Sequence, residues 1–188
     1  MSKISILGTG SWGSAVAELL TQNGHNVTMW QRDTQKVNVM SAERKHPFID
    51  DLTFSKKITF TSLMEAALDG AQIIVIAVPS HSVREIVARA NDFINDNAII
   101  VNLAKGLETN SLLTMSAVIG EEIKGKSVPI VSLYGPSHAE EVVQKIPTTL
   151  VAASVDENSS KKVQQIFSSN VLRVYTNNDI IGVECGGS

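Results

Sequence analysis

The ten residues Ile4-Ser-Ile-Leu-Gly-Thr-Gly-Ser-Trp-Gly13 constrain the fold more than any other part of this chain. A short apolar run leads into Gly8, Gly10 and Gly13. Beyond it Trp12, Ala15, Val16, Leu19 and Leu20 recur at the three- and four-residue spacing of a helix with one apolar side. The reading is therefore a strand, a glycine turn and a helix start. The three glycines differ in steric role. Gly8 makes the tight turn, Gly10 lets the backbone approach a pyrophosphate, and Gly13 lets the helix lie close on the strand. The unpaired amides and the positive dipole end of that helix favour a phosphate. The context predicts a dinucleotide-binding α/β sheet, doubly wound and mostly parallel.

Composition narrows the classes further. At 188 residues, 43% hydrophobic and 19% charged, the chain has the makeup of an ordinary globular protein rather than a disordered one. A net charge of −3 gives no general attraction for nucleic acid or an anionic membrane. No apolar run is long enough to span a bilayer, and because the first residues enter the first strand directly no signal peptide is expected. Cys185 is the single cysteine, so no internal disulfide can form and a reducing, cytoplasmic setting is expected. The scattered histidines and cysteine give no support for a metal site.

Apolar periodicity predicts further strands over residues 25–30, 58–60, 73–78, 98–103, 128–133, 148–153 and 171–176. Helices are expected over 34–43 and 112–123 and around 160–167, with capping boxes at Ser62 to Glu65 and Ser82 to Glu85 opening two more. Residues 44–57 read as a loop in which His46 and Phe48 either line a site or sit on the surface. Residues from 178 turn helical again.

Candidate site residues follow from this layout, because ligands bind at the carboxyl edge of such sheets. The second strand ends Trp30-Gln31-Arg32-Asp33. A neutral Gln31 followed by Arg32 leans toward a coenzyme with a 2′-phosphate, which a guanidinium can grip. Asp33 reads as a helix cap or a ribose ligand. Lys105 beside Gly106 stands at the end of a central strand, where it would meet a phosphate or nicotinamide. Gly135-Pro-Ser137 repeats the strand and glycine logic, with Ser137 as a helix cap that can also meet a polar ligand.

The Gly8-Thr-Gly10-Ser-Trp-Gly13 turn, the Trp30-Gln-Arg32-Asp33 strand end, Ala77-Val-Pro79-Ser80, Lys105-Gly106-Leu107-Glu108, Gly135-Pro-Ser-His-Ala139 and Ile181-Gly-Val-Glu184-Cys-Gly-Gly187 occur in one order from end to end. Together they resemble bacterial-type NAD(P)-dependent glycerol-3-phosphate dehydrogenase. The resemblance implies a Rossmann-like fold and reversible hydride transfer between NAD(P)H and dihydroxyacetone phosphate, giving sn-glycerol 3-phosphate for phospholipid synthesis. NADP is slightly favoured over NAD on the strength of Arg32. On matching positions Gly8, Gly10, Ser11, Trp12, Gly13, Arg32, Lys105 and Ala139 would bind the cofactor, and Lys105, Gly135 and Ser137 the substrate. Lys105 would also be the catalytic contact, supplying positive charge near a developing alkoxide.

Two departures accompany the resemblance. The family's aromatic-proline-glycine stretch is replaced by Pro47-Phe48-Ile49-Asp50-Asp51. The family's proton-transferring lysine would follow the glycine pair and so lie beyond Ser188, together with an all-helical second domain. The expected layout is a cofactor-binding domain over 1–177 and the start of a connecting helix over 178–188. Such a chain would bind coenzyme and turn over little substrate, and the full-length protein could be a homodimer. Two alternatives stay open: a related dehydrogenase of the 3-hydroxy acid or ketopantoate type, and a non-catalytic redox sensor.

Overall fold

The structure, a computed structural model, describes residues 1–187. Its strands are β1 (Lys3–Leu7), β2 (Asn26–Trp30), β3 (Lys45–His46), β4 (Ile49–Thr53), β5 (Thr59–Thr61), β6 (Ile73–Ile76), β7 (Ile99–Asn102), β8 (Ile130–Tyr134), β9 (Thr148–Ala153) and β10 (Leu172–Asn177). Its helices are α1 (Ser11–Gln22), α2 (Thr34–Glu43), α3 (Met64–Leu68), α4 (Ser80–Ala90), α5 (Met115–Glu122), α6 (Ala139–Val143), α7 (Glu157–Phe167) and α8 (Ile180–Gly186). Ser188, the last residue of the expected connecting helix, lies outside the described residues.

Eight strands form one sheet in the order β10-β9-β8-β7-β6-β1-β2-β5. Every neighbouring pair is parallel except β8 and β9. The sheet is thus doubly wound and mostly parallel, as the sequence predicts. Strand periodicity explains why it is covered on both faces. Ile4, Ile6, Ile73, Val75, Ile99 and Val101 point into a core shared with α1 and α7. The alternate residues Leu7, Ile74, Ile76 and Ile100 enter a second core with α3, α4 and α5. Each fully buried aliphatic side chain contributes about 1.5–3 kcal/mol.

Some local expectations are corrected. Residues 44–57 contain a hairpin, β3 and β4, whose Ile49 and Leu52, with Phe54 just beyond, are buried in the α1-side core. Phe54 meets His46 and Phe60 edge-on, with ring centroids 6.3 and 5.1 Å away. Arg44, in a left-handed cap at the end of α2, donates to the Ile58 carbonyl at 2.7 Å and lies over Phe60. Neither expected capping box forms. Leu63 precedes α3, and α4 begins at Ser80 behind Pro79, with no side-chain cap at either. Proline's fixed φ already suits a helix start. Helix α5 begins at Met115 rather than 112, because Leu112 takes a left-handed φ of 58°.

Candidate functional site

Register places the site. Leu7 pairs with Trp30 and Ile76, Ile76 with Asn102, and Asn102 with Ser132, so these residues form one row near the carboxyl edge of the sheet. The chain after β1 returns to β2 on one side, while β6 lies on the other. This divergence opens a crevice between β1 and β6.

The glycine turn fills the floor of that crevice. Gly8 has φ +119°, and a Cβ there would lie 2.4 Å from the Ala77 carbonyl oxygen. A Cβ on Gly13 would come within 2.8 Å of the Ala77 Cβ, so this glycine sets how closely α1 approaches the sheet. Gly10 differs, since a Cβ there would meet nothing within 4 Å. It stands before α1, which has no side-chain cap and no acidic residue in its first turn. A helix start with that arrangement attracts an anion.

Two cavities flank Gly10. One, of about 290 Å³, is lined by Gly8, Gly10, Arg32, Pro79, Ser82 and Glu85 among others. The other, of about 580 Å³, runs between α2 and the hairpin and includes Gly10, Lys36, Val39, His46 and Phe48. They share Thr9, Gly10 and Gln31. The Gln31 amide donates to Thr9 Oγ1 at 2.7 Å and straps the glycine turn to the end of β2. His46 is buried, with Nδ1 accepting from the Phe48 amide at 3.2 Å and Nε2 lacking a hydrogen-bond partner among the described residues. Burial pushes its pKa down, opposed by the Thr9 backbone and the Glu140 charge. So His46 and Phe48 line a cavity beside the glycine turn. Asp33 takes its capping role, accepting from the Gln35 amide at 2.8 Å and the Lys36 amide at 3.3 Å.

A second cluster lies three residues beyond the Asn102–Ser132 pair. Lys105 Nζ donates to the Gly135 carbonyl oxygen at 3.0 Å, and Ser137 Oγ donates to the same oxygen at 3.3 Å. Ser137 therefore does not cap α6; His138 holds that position without a side-chain bond. A Cβ on Gly135 would lie 2.6 Å from the Thr149 carbonyl oxygen, so only glycine lets β9 pass so close. The groove brings together Gly8, Gly10 and Arg32, and the second cluster joins Lys105, Gly135 and Ser137. Ser11 and Trp12 open α1 half-buried, and Ala139 is buried at the start of α6; with Gly13 they line neither. The clusters approach each other where Gly106 faces Ser80 Oγ, 3.6 Å from an ideal Cβ.

Two supports of the Lys105 loop escape the sequence reading. Glu184 on α8 is 1% exposed. Its carboxylate accepts from Ser132 Oγ at 2.8 Å, the Ser116 amide at 2.9 Å, Ser116 Oγ at 2.6 Å and Asn102 Nδ2 at 3.1 Å. Asn102 Oδ1 in turn accepts from the Ala104 amide at 2.9 Å, and the Tyr134 hydroxyl donates to the Ala104 carbonyl. Burial, then the nearby Glu184 charge, raises the Tyr134 pKa, so the phenol stays a donor. On the far side Arg84 grips Glu108 with two bonds of 2.8 Å and also pairs with Glu121 and Glu122.

Comparison with known proteins matches this architecture. The profile of the family described as NAD-dependent glycerol-3-phosphate dehydrogenase N-terminus covers residues 3–160. The chain belongs to this family. A glycerol-3-phosphate dehydrogenase (NAD(P)+) of Clostridium perfringens is 44% identical over the whole chain and 56% of its own length, and one of Thermoanaerobacter is 44% identical over 99% of the chain. The crystal structure of glycerol-3-phosphate dehydrogenase from Coxiella burnetii superposes with a TM-score of 0.92 at 33% identity, over 99% of this chain and 57% of that one. A Plasmodium falciparum structure at 22% identity and TM-score 0.90 shares the fold. The chain spans about 56% of the length of the curated relatives it matches. No helix among the described residues is long and apolar enough to cross a membrane.

Proposed function

We propose that this chain is the coenzyme-binding part of a glycerol-3-phosphate dehydrogenase, with residues 1–177 as the binding domain and residues from 178 leading toward a helical domain. The observation that carries the reading is the uncapped, acid-free start of α1, presented by the Gly8–Gly10 turn at the crevice between β1 and β6. The open space at Gly10 and the flanking cavities fit a nicotinamide dinucleotide, its pyrophosphate on the α1 amides and its adenosine toward Arg32. Such a coenzyme, NADH or NADPH, supplies a hydride to a carbonyl carbon.

The chain's own residues act on the other reacting atom. Lys105 places a positive charge beside the Gly135 carbonyl, where a phosphorylated ketone such as dihydroxyacetone phosphate would bind, and stabilises its oxygen as negative charge develops. Gly135 and Ser137 hold that substrate, and Ser11, Trp12 and Ala139 border the coenzyme. The resemblance supports a proton-donating lysine from the helical part, so these 188 residues alone bind coenzyme and turn over little substrate. The full-length protein acts in the cytoplasm as a homodimer.

Calorimetric titration of NADH and NADPH into the chain and into Gly10→Val tests the reading. The Cβ of a valine at residue 10 meets no protein atom within 4 Å, so the cost to stability is that of the helix cap, at most about 1 kcal/mol, whereas the side chain occupies the pyrophosphate position and weakens binding by at least about tenfold. Equal affinity in both proteins, or no binding by the wild type at millimolar coenzyme, rejects it.

A further inference from the structure

We propose that Glu85 sets the choice between the two nicotinamide dinucleotides by opposing a 2′-phosphate brought to Arg32; the inference rests on the coenzyme reading above. Among the described residues, Arg32 and Glu85 are the only charged ones lining the 290 Å³ groove. They face each other across it, Arg32 just past the end of β2 and Glu85 in the second turn of α4, with Nη1 and Oε1 3.7 Å apart. The same Glu85 oxygen lies 3.6 Å from Arg89 Nη1, one turn further along α4. Arg89 is itself steadied, its guanidinium 5.7 Å from the centre of the Trp30 ring.

The other polar side chains just past the end of β2 are committed elsewhere. Asp33 caps α2, and the Gln31 amide nitrogen bonds Thr9 Oγ1. Glu85 is therefore the carboxylate that an adenosine ribose meets on entering the groove. A ribose 2′-hydroxyl can donate to that carboxylate while Arg32 stays paired. A 2′-phosphate carries nearly two negative charges. It must draw Arg32 away and then lie within a few ångströms of Glu85. With side chains 68% and 58% exposed, the pair itself is weak, and breaking it costs little. The repulsion left behind is the larger effect, and it grades the preference without excluding the phosphorylated coenzyme. Arg32 taken alone points to NADP; Arg32 with Glu85 describes a groove whose preference has been moved back toward NAD.

The test uses the whole chain, Glu85→Gln and Arg32→Ala. Dissociation constants are measured calorimetrically for 2′,5′-ADP, 5′-ADP, NADPH and NADH. Glutamine keeps the size of residue 85 on an exposed helix face and should not disturb folding. Glu85→Gln should tighten 2′,5′-ADP and NADPH by roughly fivefold or more, while 5′-ADP and NADH, whose ribose hydroxyl trades a charged acceptor for a neutral one, stay the same or weaken. The gain should shrink as salt is raised and persist when Arg32→Ala is added, because the repulsion acts on the phosphate itself. A ratio of affinities unchanged by Glu85→Gln, with both coenzymes bound, overturns the role of Glu85 and leaves the coenzyme reading standing. No binding of any of the four ligands overturns both.

Discussion

Gly8 and Glu184 show how differently single residues reveal themselves. The left-handed φ at Gly8 and the Ala77 carbonyl 2.4 Å from any Cβ leave no room for a side chain. Gly8→Ala should therefore cost about 2–4 kcal/mol in urea denaturation, from backbone strain and overpacking together; a loss under about 1 kcal/mol would mean that the turn relaxes. That requirement was legible in the glycine spacing. The burial of Glu184 was not, since nothing local in Ile181-Gly-Val-Glu184 announces that its carboxylate will meet Ser116, Ser132 and Asn102. Glu184→Ala strands several buried donors at about 1–3 kcal/mol each. Glu184→Gln keeps one oxygen and can donate to the Ser116 hydroxyl, so it should lose less than half as much. Equal losses in the two variants would show that the negative charge, rather than the side chain's packing or the number of its hydrogen bonds, holds α8 to the sheet.

Between elements, the Arg84 clamp joins α4 and α5 to the loop after Lys105. Glu108 accepts two bonds from Arg84 and one from Ser111, and these hold its pKa at about 2, below the ordinary 4.5. The folded chain thus binds fewer protons at this site than the unfolded chain. Its stabilising effect is complete above about pH 4.5 and is lost as pH falls through about 2. Thermal midpoints should accordingly fall more steeply over that window in the wild type than in Glu108→Gln, which has no proton to gain there. Parallel curves would deny the clamp any part in acid stability. In α2 the buried residues are Val37 and Met40, three positions apart and so on one helical face, which the helix period makes legible. The hairpin over Lys45–Thr53 escaped because its alternation is broken: Ile49 and Leu52 are buried, whereas Asp50 and Asp51 between them are exposed. Its burial depends on Phe54, Phe60 and the α1-side core.

For the whole molecule, two cores share one sheet and neither is complete without it. Trp12 packs against the α1-side core and Trp30 lies within the other, so the chain carries one fluorescent reporter for each face. Single-tryptophan variants, Trp12→Phe and Trp30→Phe, should each show one urea transition with the same m-value as the same variant followed by circular dichroism. A fluorescence transition displaced from the circular dichroism one in either variant would show that the faces unfold separately. The strands of the main sheet, the glycine turn and the place of Lys105 at the sheet edge could be derived from the sequence, because they depend on local periodicity and on what a glycine alone permits. The Lys105–Gly135 contact, the Glu184 anchor and the pairing of Arg32 with Glu85 were decided only by tertiary structure. Their partners lie 30, 82 and 53 positions apart, and no spacing rule reaches so far. Only packing on a common sheet edge brings such groups within reach of one another.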